Sequence, residues 1–225
     1  MEYYKIINDL EALKEFVNWL PELKDNEQFY VCLFARKKYS ATLKKAGDKT
    51  QLKRFTSTKE RLIEKIKQLE IPVGGYTLKG DTVPQDALVL YIMPNPRCMR
   101  RATEEMAHKC IDLITSDASN FNLHAHAMSC IQKSKSRRSK FVVDFDIDTK
   151  DIDLTPLNDI IPECSRTILE TRGGYHILVR PDYVGDAKLW HNKIRELFVV
   201  DQVGDQMIPV PGCIQGNFVP KFINI

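Results

Sequence analysis

The sequence has no apolar run approaching the roughly 20 residues that a membrane span requires. Residues 1–5 carry no basic stretch followed by an apolar one, so we expect no secretory signal. The six cysteines include no CxxC pair, which argues against a disulfide framework and favours reduced thiols in the cytoplasm. The formal net charge is only +3, so total charge alone does not indicate a nucleic-acid partner. These absences predict a cytoplasmic protein with no membrane partner.

The composition is that of an ordinary globular protein, with 43% hydrophobic and 28% charged residues among 225. We predict a single domain over residues 1–225, with an N-terminal lobe at about 1–135 and a second lobe at about 136–225. Strand and helix patterns are mixed without regular alternation. This favours an α+β fold with a largely antiparallel sheet flanked by helices.

Hydrophobic periodicity and turn residues predict the individual elements. Helices are expected at residues 10–20, 100–115, 155–161 and 185–198. A further helix is expected to begin at a capping box at residue 57 and to end before Pro72. Strands are expected at residues 28–39, 87–93, 123–131, 141–147, 166–170, 175–180 and 206–215.

An acidic strand, residues 141–148, holds the first candidate site. Side chains alternate along a strand, so its odd-numbered apolar residues share a buried face while Asp144, Asp146 and Asp148 share the other. Carboxylates two residues apart lie about 7 Å apart at the backbone and can converge on one cation. Aspartate is depleted in strands, and a hard divalent cation would offset that cost. The alternative to a metal site is that the strand simply ends in a solvated loop, of which Asp148 is the first residue.

A glycine turn follows about 25 residues later. Thr171, Arg172, Gly173 and Gly174 join two predicted strands, and His176 begins the second of them. Glycines let the backbone approach a ligand closely, and arginine and histidine are good phosphate ligands. The alternative is an ordinary hairpin with a solvated arginine and a hydrogen-bonded core histidine.

The order of these motifs resembles that of the archaeo-eukaryotic primase superfamily, which includes primase-polymerases. An Asp-x-Asp strand, a Gly-Gly-Tyr-His segment and a later aspartate ahead of Pro-x-Pro-Gly span residues 141 to about 221. The resemblance implies a two-lobed primase-like fold with the catalytic acids on a central strand. It also implies a metal-dependent nucleotidyltransferase that synthesises a nucleic-acid strand from nucleoside triphosphates on a template.

The resemblance assigns Asp144 and Asp146 to the catalytic metals. The third acid is Asp205 or Asp201, and Asp205 is narrowly favoured because it lies only six residues before Pro211 of the proline-rich segment. Oxygen ligands suit Mg²⁺ or Mn²⁺. Two such ions about 4 Å apart would clamp the attacking 3′-hydroxyl and the leaving pyrophosphate.

The resemblance also predicts the nucleotide-binding residues. His176 contacts the phosphates of the incoming nucleotide, and Arg172 is a plausible phosphate partner. The small hydroxyl residue ahead of the glycines is Thr171 or Ser165.

Basic clusters are candidates for contact with nucleic acid, although each also fits a solvated surface. The predicted nucleic-acid-binding residues are Arg36, Lys38, Lys135, Arg137 and Arg138, with a further cluster at Arg97, Arg100 and Arg101. A helicase or another replication or repair protein is a possible partner.

Zinc is possible but not favoured, because its candidate ligands contain no CxxC anchor. They are His108, Cys110, His124, His126 and Cys130. Two other functions stay open. A metal-dependent nuclease or phosphodiesterase needs similar acids without a triphosphate site, and a non-catalytic nucleic-acid-binding replication module needs neither.

Overall fold

The computed structural model describes residues 1–43, 47, 49–116, 121–136, 140–184 and 187–225. The α-helices of this part are α1 (Leu10–Trp19), α2 (Leu62–Lys67), α3 (Met99–Thr115), α4 (Leu123–Lys133) and α5 (Ala187–Leu197). None of the helices in these ranges is both long enough and apolar enough to cross a lipid bilayer.

The strands pair only in antiparallel register within these ranges, which confirms the α+β class. The two-lobed primase-like architecture stays a prediction. The strands are β1 (Glu27–Ala35), β2 (Thr50–Ser57), β3 (Thr77–Leu78), β4 (Asp81–Thr82), β5 (Leu88–Ile92), β6 (Arg97–Cys98), β7 (Val143–Ile147), β8 (Arg166–Glu170), β9 (Tyr175–Val179), β10 (Gln202–Gly204), β11 (Ile208–Pro209) and β12 (Lys221–Ile223).

The first sheet has the order β11-β5-β1-β2, with β6 also paired to β1. Strand β1 is apolar on both faces because both faces are covered. Val31 and Leu33 pack in a core shared with α1 and α2, while Tyr30, Cys32 and Phe34 pack in a second cluster that includes Met128 of α4.

The second sheet has the order β10-β7-β9-β8-β12, so the acidic strand β7 is internal. Phe145 and Ile147 pack in one cluster with Trp190 of α5. On the opposite face, Val142 and Leu178 join the core that contains α1 and the first sheet. The face that carries the acids is therefore covered in part by the first half of the chain.

The C-terminal segment connects the two sheets. Strand β11 leaves the second half of the chain to pair with β5 of the first sheet. Beyond it, the carbonyl of Gly212 accepts hydrogen bonds from the N–H groups of Asn8 and Asp9. Gly212 has φ +77°, and a Cβ there would lie 2.6 Å from the nitrogen of Leu13, so only glycine fits. The predicted division near residue 135 stays a prediction, although this segment packs on both sides of it.

Several predicted elements differ from the structure. Residues 123–131 form helix α4 instead of a strand, and the side chain of Asn122 caps it by accepting from the N–H of Ala125. The predicted strand over residues 206–215 shrinks to β11, because prolines at 209 and 211 remove ladder donors. Residues 155–159 form a 3₁₀ turn. The capping box at 57 is wrong, since β2 runs through Ser57 and α2 begins at Leu62.

Candidate active site

A polar pocket of about 280 Å³ lies where the two sheets meet. We call it the charged pocket, because carboxylates line one side and cations the other. The second sheet and its adjoining loops supply the side chains of Asp146, Asp148, His176 and Asp201. The first sheet and its loops supply Arg36, Lys38, Tyr39, Lys49 and Tyr91, and the remaining lining residues are Thr171, Gly173, Gln202, Gln206, Met207, Pro209 and Gln215.

Strand register brings the acids and the histidine together. Asp146 of β7 lies directly opposite His176 of β9, so the two side chains share one face of the sheet. Nδ1 of His176 lies 2.9 and 3.0 Å from the two carboxylate oxygens of Asp144. Because a carboxylate only accepts, Nδ1 carries a proton. Nε2 lies 3.6 Å from Oδ1 of Asp146, so the imidazole bridges the two acids.

Burial and charge shift the protonation of this group. Burial alone would lower the pKa of His176, but the charge and hydrogen bond of Asp144, with Asp146 and Asp148, outweigh it and raise that pKa. Burial raises the pKa of Asp146, and the nearby charges of Asp144, Asp201 and Asp148 add to the rise, while His176 opposes it. Repulsion among the acids thus contributes to the raised pKa of Asp146, and a cation bound beside them would relieve that repulsion.

The glycine turn packs against the end of the acidic strand. A Cβ on Gly174 would overlap the carbonyl oxygen of Ile147 and lie 2.6 Å from the nitrogen of Thr149. A Cβ on Gly173 would lie 2.6 Å from Oδ1 of Asp148. The pair of glycines thus lets the turn lie directly on the acidic strand, which places Asp148 and Gly173 together in the lining.

Thr171 and Arg172 have contacts of their own in this turn. The hydroxyl of Thr171 donates to the carbonyl of Gly174 at 3.1 Å, and Thr171 lines the charged pocket. The guanidinium of Arg172 lies over the ring of Tyr39 at 4.6 Å, on the side toward Gly216. Its Nη1 is buried and has no hydrogen-bond partner among the described residues. Arg172 therefore lies behind Tyr39, outside the lining.

The two candidate third acids occupy different places. Asp201 lines the charged pocket, and its N–H donates to the carbonyl of Asp146 at 2.8 Å. Asp205 is buried, and its Oδ1 accepts from Nη2 of Arg97 at 2.7 Å and from Nδ2 of Asn95 at 3.0 Å. It lies outside the lining of the charged pocket. The geometry thus favours Asp201 as the acid that acts with Asp146.

The predicted basic residues are dispersed. Arg36 and Lys38 line the charged pocket, and Nη1 of Arg36 donates to the hydroxyl of Tyr91 at 3.0 Å. Lys135 lines a separate small cavity beside Asp205. Arg97 is buried in the ion pair with Asp205 and not on a cleft surface. Arg137 and Arg138 lie outside the described residues.

The structure adds residues that sequence reasoning missed. Lys49 lines the charged pocket, and its Nζ lies 5.1 Å from the ring centre of Phe34 and 4.8 Å from that of Tyr91. Gln202 and Gln206 line the same pocket. No motif marks these residues. The sequence carries two weak signals of their position. Gln202 directly follows Asp201, and Phe34, whose ring lies near Lys49, is placed on one face of β1 by the alternation of side chains along that strand.

The donor set suits a hard cation more than zinc. No three His, Cys, Asp or Glu side chains within the described ranges are placed to hold a metal together, and this applies to the pocket acids as well as to the zinc candidates. His124 and His126 lie on α4 instead of sharing one face of a strand. Mg²⁺ is commonly held by one or two carboxylates with water and substrate phosphates. Asp146 with Asp148 or Asp201 fits that mode, with phosphates completing the shell.

No family model, no curated protein and no solved structure matches the chain. The resemblance to the primase superfamily therefore stays a prediction.

Proposed function

We propose that the protein is a metal-dependent nucleotidyltransferase that joins nucleoside triphosphates on a nucleic-acid template, as a primase, a polymerase or both. One observation carries the proposal: carboxylates from the second sheet and cations from the first line a single pocket. A metal–triphosphate complex has the same polarity, with the cation toward the acids and the excess phosphate charge toward the bases. Phosphoryl transfer needs mainly positioning and charge neutralisation.

The residues divide by the charge they offer. Asp146 and Asp201 would hold Mg²⁺ or Mn²⁺, which when bound neutralises the phosphates and polarises the phosphorus–oxygen bond that breaks. Asp144 is also a ligand by resemblance, but both of its oxygens lie within hydrogen-bond distance of Nδ1 of His176. A metal at Asp144 would therefore compete with His176 for the same carboxylate.

The cationic side chains have a separate role. Arg36 and Lys38 lie on the wall opposite the acids, where they would neutralise the triphosphate. His176, held by Asp144 through Nδ1, directs Nε2 toward the side chain of Asp146. In its protonated form it would donate from Nε2 to a phosphate oxygen that approaches Asp146 with the metal. A nuclease or phosphodiesterase would place a phosphate of lower charge here, so the several cations of this pocket favour a triphosphate substrate.

The test is incorporation of labelled nucleotide with Mg²⁺ or Mn²⁺ on primed and unprimed templates. We expect incorporation by the wild type and a loss of at least about a hundredfold in Asp146→Asn, since a single lost electrostatic contact to the transition state costs on that order. Asp112→Asn is the matched control, because Asp112 is an exposed residue of α3 outside the lining of the charged pocket.

Two results would point elsewhere. Degradation of nucleic acid without added nucleotide would indicate a nuclease. Failure of the wild type to incorporate nucleotide, together with nucleic-acid binding that Asp146→Asn leaves unchanged, would indicate a non-catalytic binding module.

A further inference from the structure

A second cavity, of about 480 Å³, adjoins the charged pocket. We call it the amide pocket, because its polar lining is dominated by the glutamines Gln51, Gln132, Gln202 and Gln206. Its other lining residues are Phe34, Lys49, Met93, Asp205 and Met207. Lys49, Gln202, Gln206 and Met207 line both cavities, so the two are direct neighbours.

The two cavities differ in chemistry. The charged pocket opposes acids to cations, whereas the amide pocket has Asp205, which is already paired with Arg97, and Lys49 at the shared border. The rest of its lining is neutral. Phe34, Met93 and Met207 offer apolar surface, and the glutamine side chains offer donors and acceptors. Nε2 of Gln51 already donates to Sγ of Cys32 at 2.9 Å. A lining of this kind suits a flat, uncharged group with a hydrogen-bonding edge more than it suits a phosphate.

A nucleobase has these properties. Its faces are apolar and stack or pack on side chains, and its edges present donors and acceptors. Glutamine amides pair with base edges in a bidentate way. The volume of the amide pocket lies within the range of about 300–1,000 Å³ typical of small-ligand sites.

Gln206 lies at the border between the two cavities, because it lines both. Its Nε2 is buried and, among the described residues, has no hydrogen-bond partner. Buried donors without a partner are rare in folded proteins, because burial removes the hydrogen bonds they would make to water. Gln206 as a whole is half-buried, so the exposed atoms of its side chain, and not this nitrogen, line the border between the two cavities.

We propose that the amide pocket binds the base of the nucleotide whose phosphates lie in the charged pocket. This rests on the proposed function. It goes further because the protein itself, and not only a template base, contacts the edge of the incoming base. The protein therefore discriminates among nucleoside triphosphates before any template is present.

The experiment measures binding calorimetrically, without template and with Mg²⁺, for each of ATP, GTP, CTP and UTP and for inorganic tripolyphosphate. Tripolyphosphate reports the charged pocket alone. We expect at least one nucleoside triphosphate to bind about tenfold or more tightly than tripolyphosphate, and the four to differ among themselves by a similar factor.

Two variants test the lining directly. Gln132→Leu alters an exposed side chain that lines only the amide pocket, so it tests the base without disturbing the fold or the phosphate wall. Gln206→Leu removes the buried donor. Each is expected to reduce the nucleoside triphosphate advantage about tenfold, and Gln132→Leu is expected to leave tripolyphosphate affinity unchanged. Gln68→Leu, an exposed glutamine at the end of α2, is the matched control.

The outcomes separate the two proposals. Equal affinity for tripolyphosphate and all four nucleotides would overturn the base pocket and leave the proposed function standing. The same holds if both glutamine variants bind nucleotides like the wild type. Failure of the wild type to bind any of the five ligands would overturn both.

Discussion

The buried pair of Arg97 and Asp205 gives a sharp test of which acid serves the site. The Arg97 and Asp205 side chains are 1% and 5% exposed, and Nη2 lies 2.7 Å from Oδ1. Nε of Arg97 is buried and already has no hydrogen-bond partner among the described residues. Removal of the carboxylate in Asp205→Ala would leave a buried guanidinium without its counter-ion. Breaking a buried pair in this way typically costs about 3–5 kcal/mol.

A double substitution separates the loss of charge pairing from the loss of a catalytic acid. Arg97→Met with Asp205→Leu replaces both charges by apolar groups, which is often neutral or stabilising when the packing is kept. We therefore expect Asp205→Ala to lower the free energy of unfolding by about 3–5 kcal/mol, and the double variant to recover most of it. Asn95 keeps its other partner, since its Nδ2 also donates to the carbonyl of Val142 at 3.0 Å.

Urea unfolding followed by tryptophan fluorescence measures the stability, and nucleotide incorporation measures the activity. If Asp201 is the third acid, the double variant folds and stays active, while Asp201→Asn folds and is inactive. Asp205 also lines the amide pocket, so a stable but inactive double variant would return the catalytic role to Asp205 only if it binds nucleoside triphosphates like the wild type in calorimetry. A loss below about 1 kcal/mol in Asp205→Ala, as for exposed pairs, would refute the reasoning about the buried pair itself.

Three further predictions concern the turn, the histidine and the buried amide. Gly174→Ala should destabilise the protein and reduce incorporation more than Gly47→Ala does, because the added Cβ at Gly174 would overlap the carbonyl oxygen of Ile147, whereas at Gly47 it would lie 3.9 Å from Oγ1 of Thr50; thermal melting and incorporation check this. The raised pKa of His176 stabilises the fold fully below the unfolded pKa of about 6.5 and less as pH rises through the folded pKa. The stability advantage of wild type over His176→Asn should therefore be larger at pH 6 than at pH 9 in urea titrations, and an advantage that grows with pH would contradict it. Gln206→Leu should not lower the free energy of unfolding, because it removes a buried donor whose lack of a partner costs about 1–3 kcal/mol; a clear loss in urea unfolding would show that the amide has a stabilising contact.

The relation of the acidic strand to the glycine hairpin could be inferred from local sequence. Period-two alternation puts Asp144 and Asp146 on one face, and the turn residues mark the start of β9. The register that sets Asp146 opposite His176 could be known only from the structure. The same is true of the burial of Asp144, because the residues that cover it come from the first half of the chain.

The third acid could not be chosen from the sequence for a similar reason. Asp201 and Asp205 flank the same short strand, and both precede the proline-rich segment. The pairing of Gln202 with Asp146 puts Asp201 at the pocket, while a buried arginine from β6 holds Asp205. Both contacts are long-range, and motif spacing carries no information about them.

The error at α4 has a local origin. Alternating histidine and alanine at residues 124–127 fits a half-buried strand as well as a helix. The cap at Asn122 and the burial of Met128 against the first sheet decide for a helix. Short segments of mixed polarity are ambiguous until their packing partners are known.

The short connection from β10 to β11 sets a mechanical limit on the charged pocket. Gly204 ends a strand paired with β7, and Ile208 begins one paired with β5. Four Cα–Cα steps span at most about 14 Å, so the two walls are tethered across that distance. Opening this edge further would require β10 to separate from β7 or β11 to separate from β5. The connection thus limits the separation of the acids from the cations before a ligand binds.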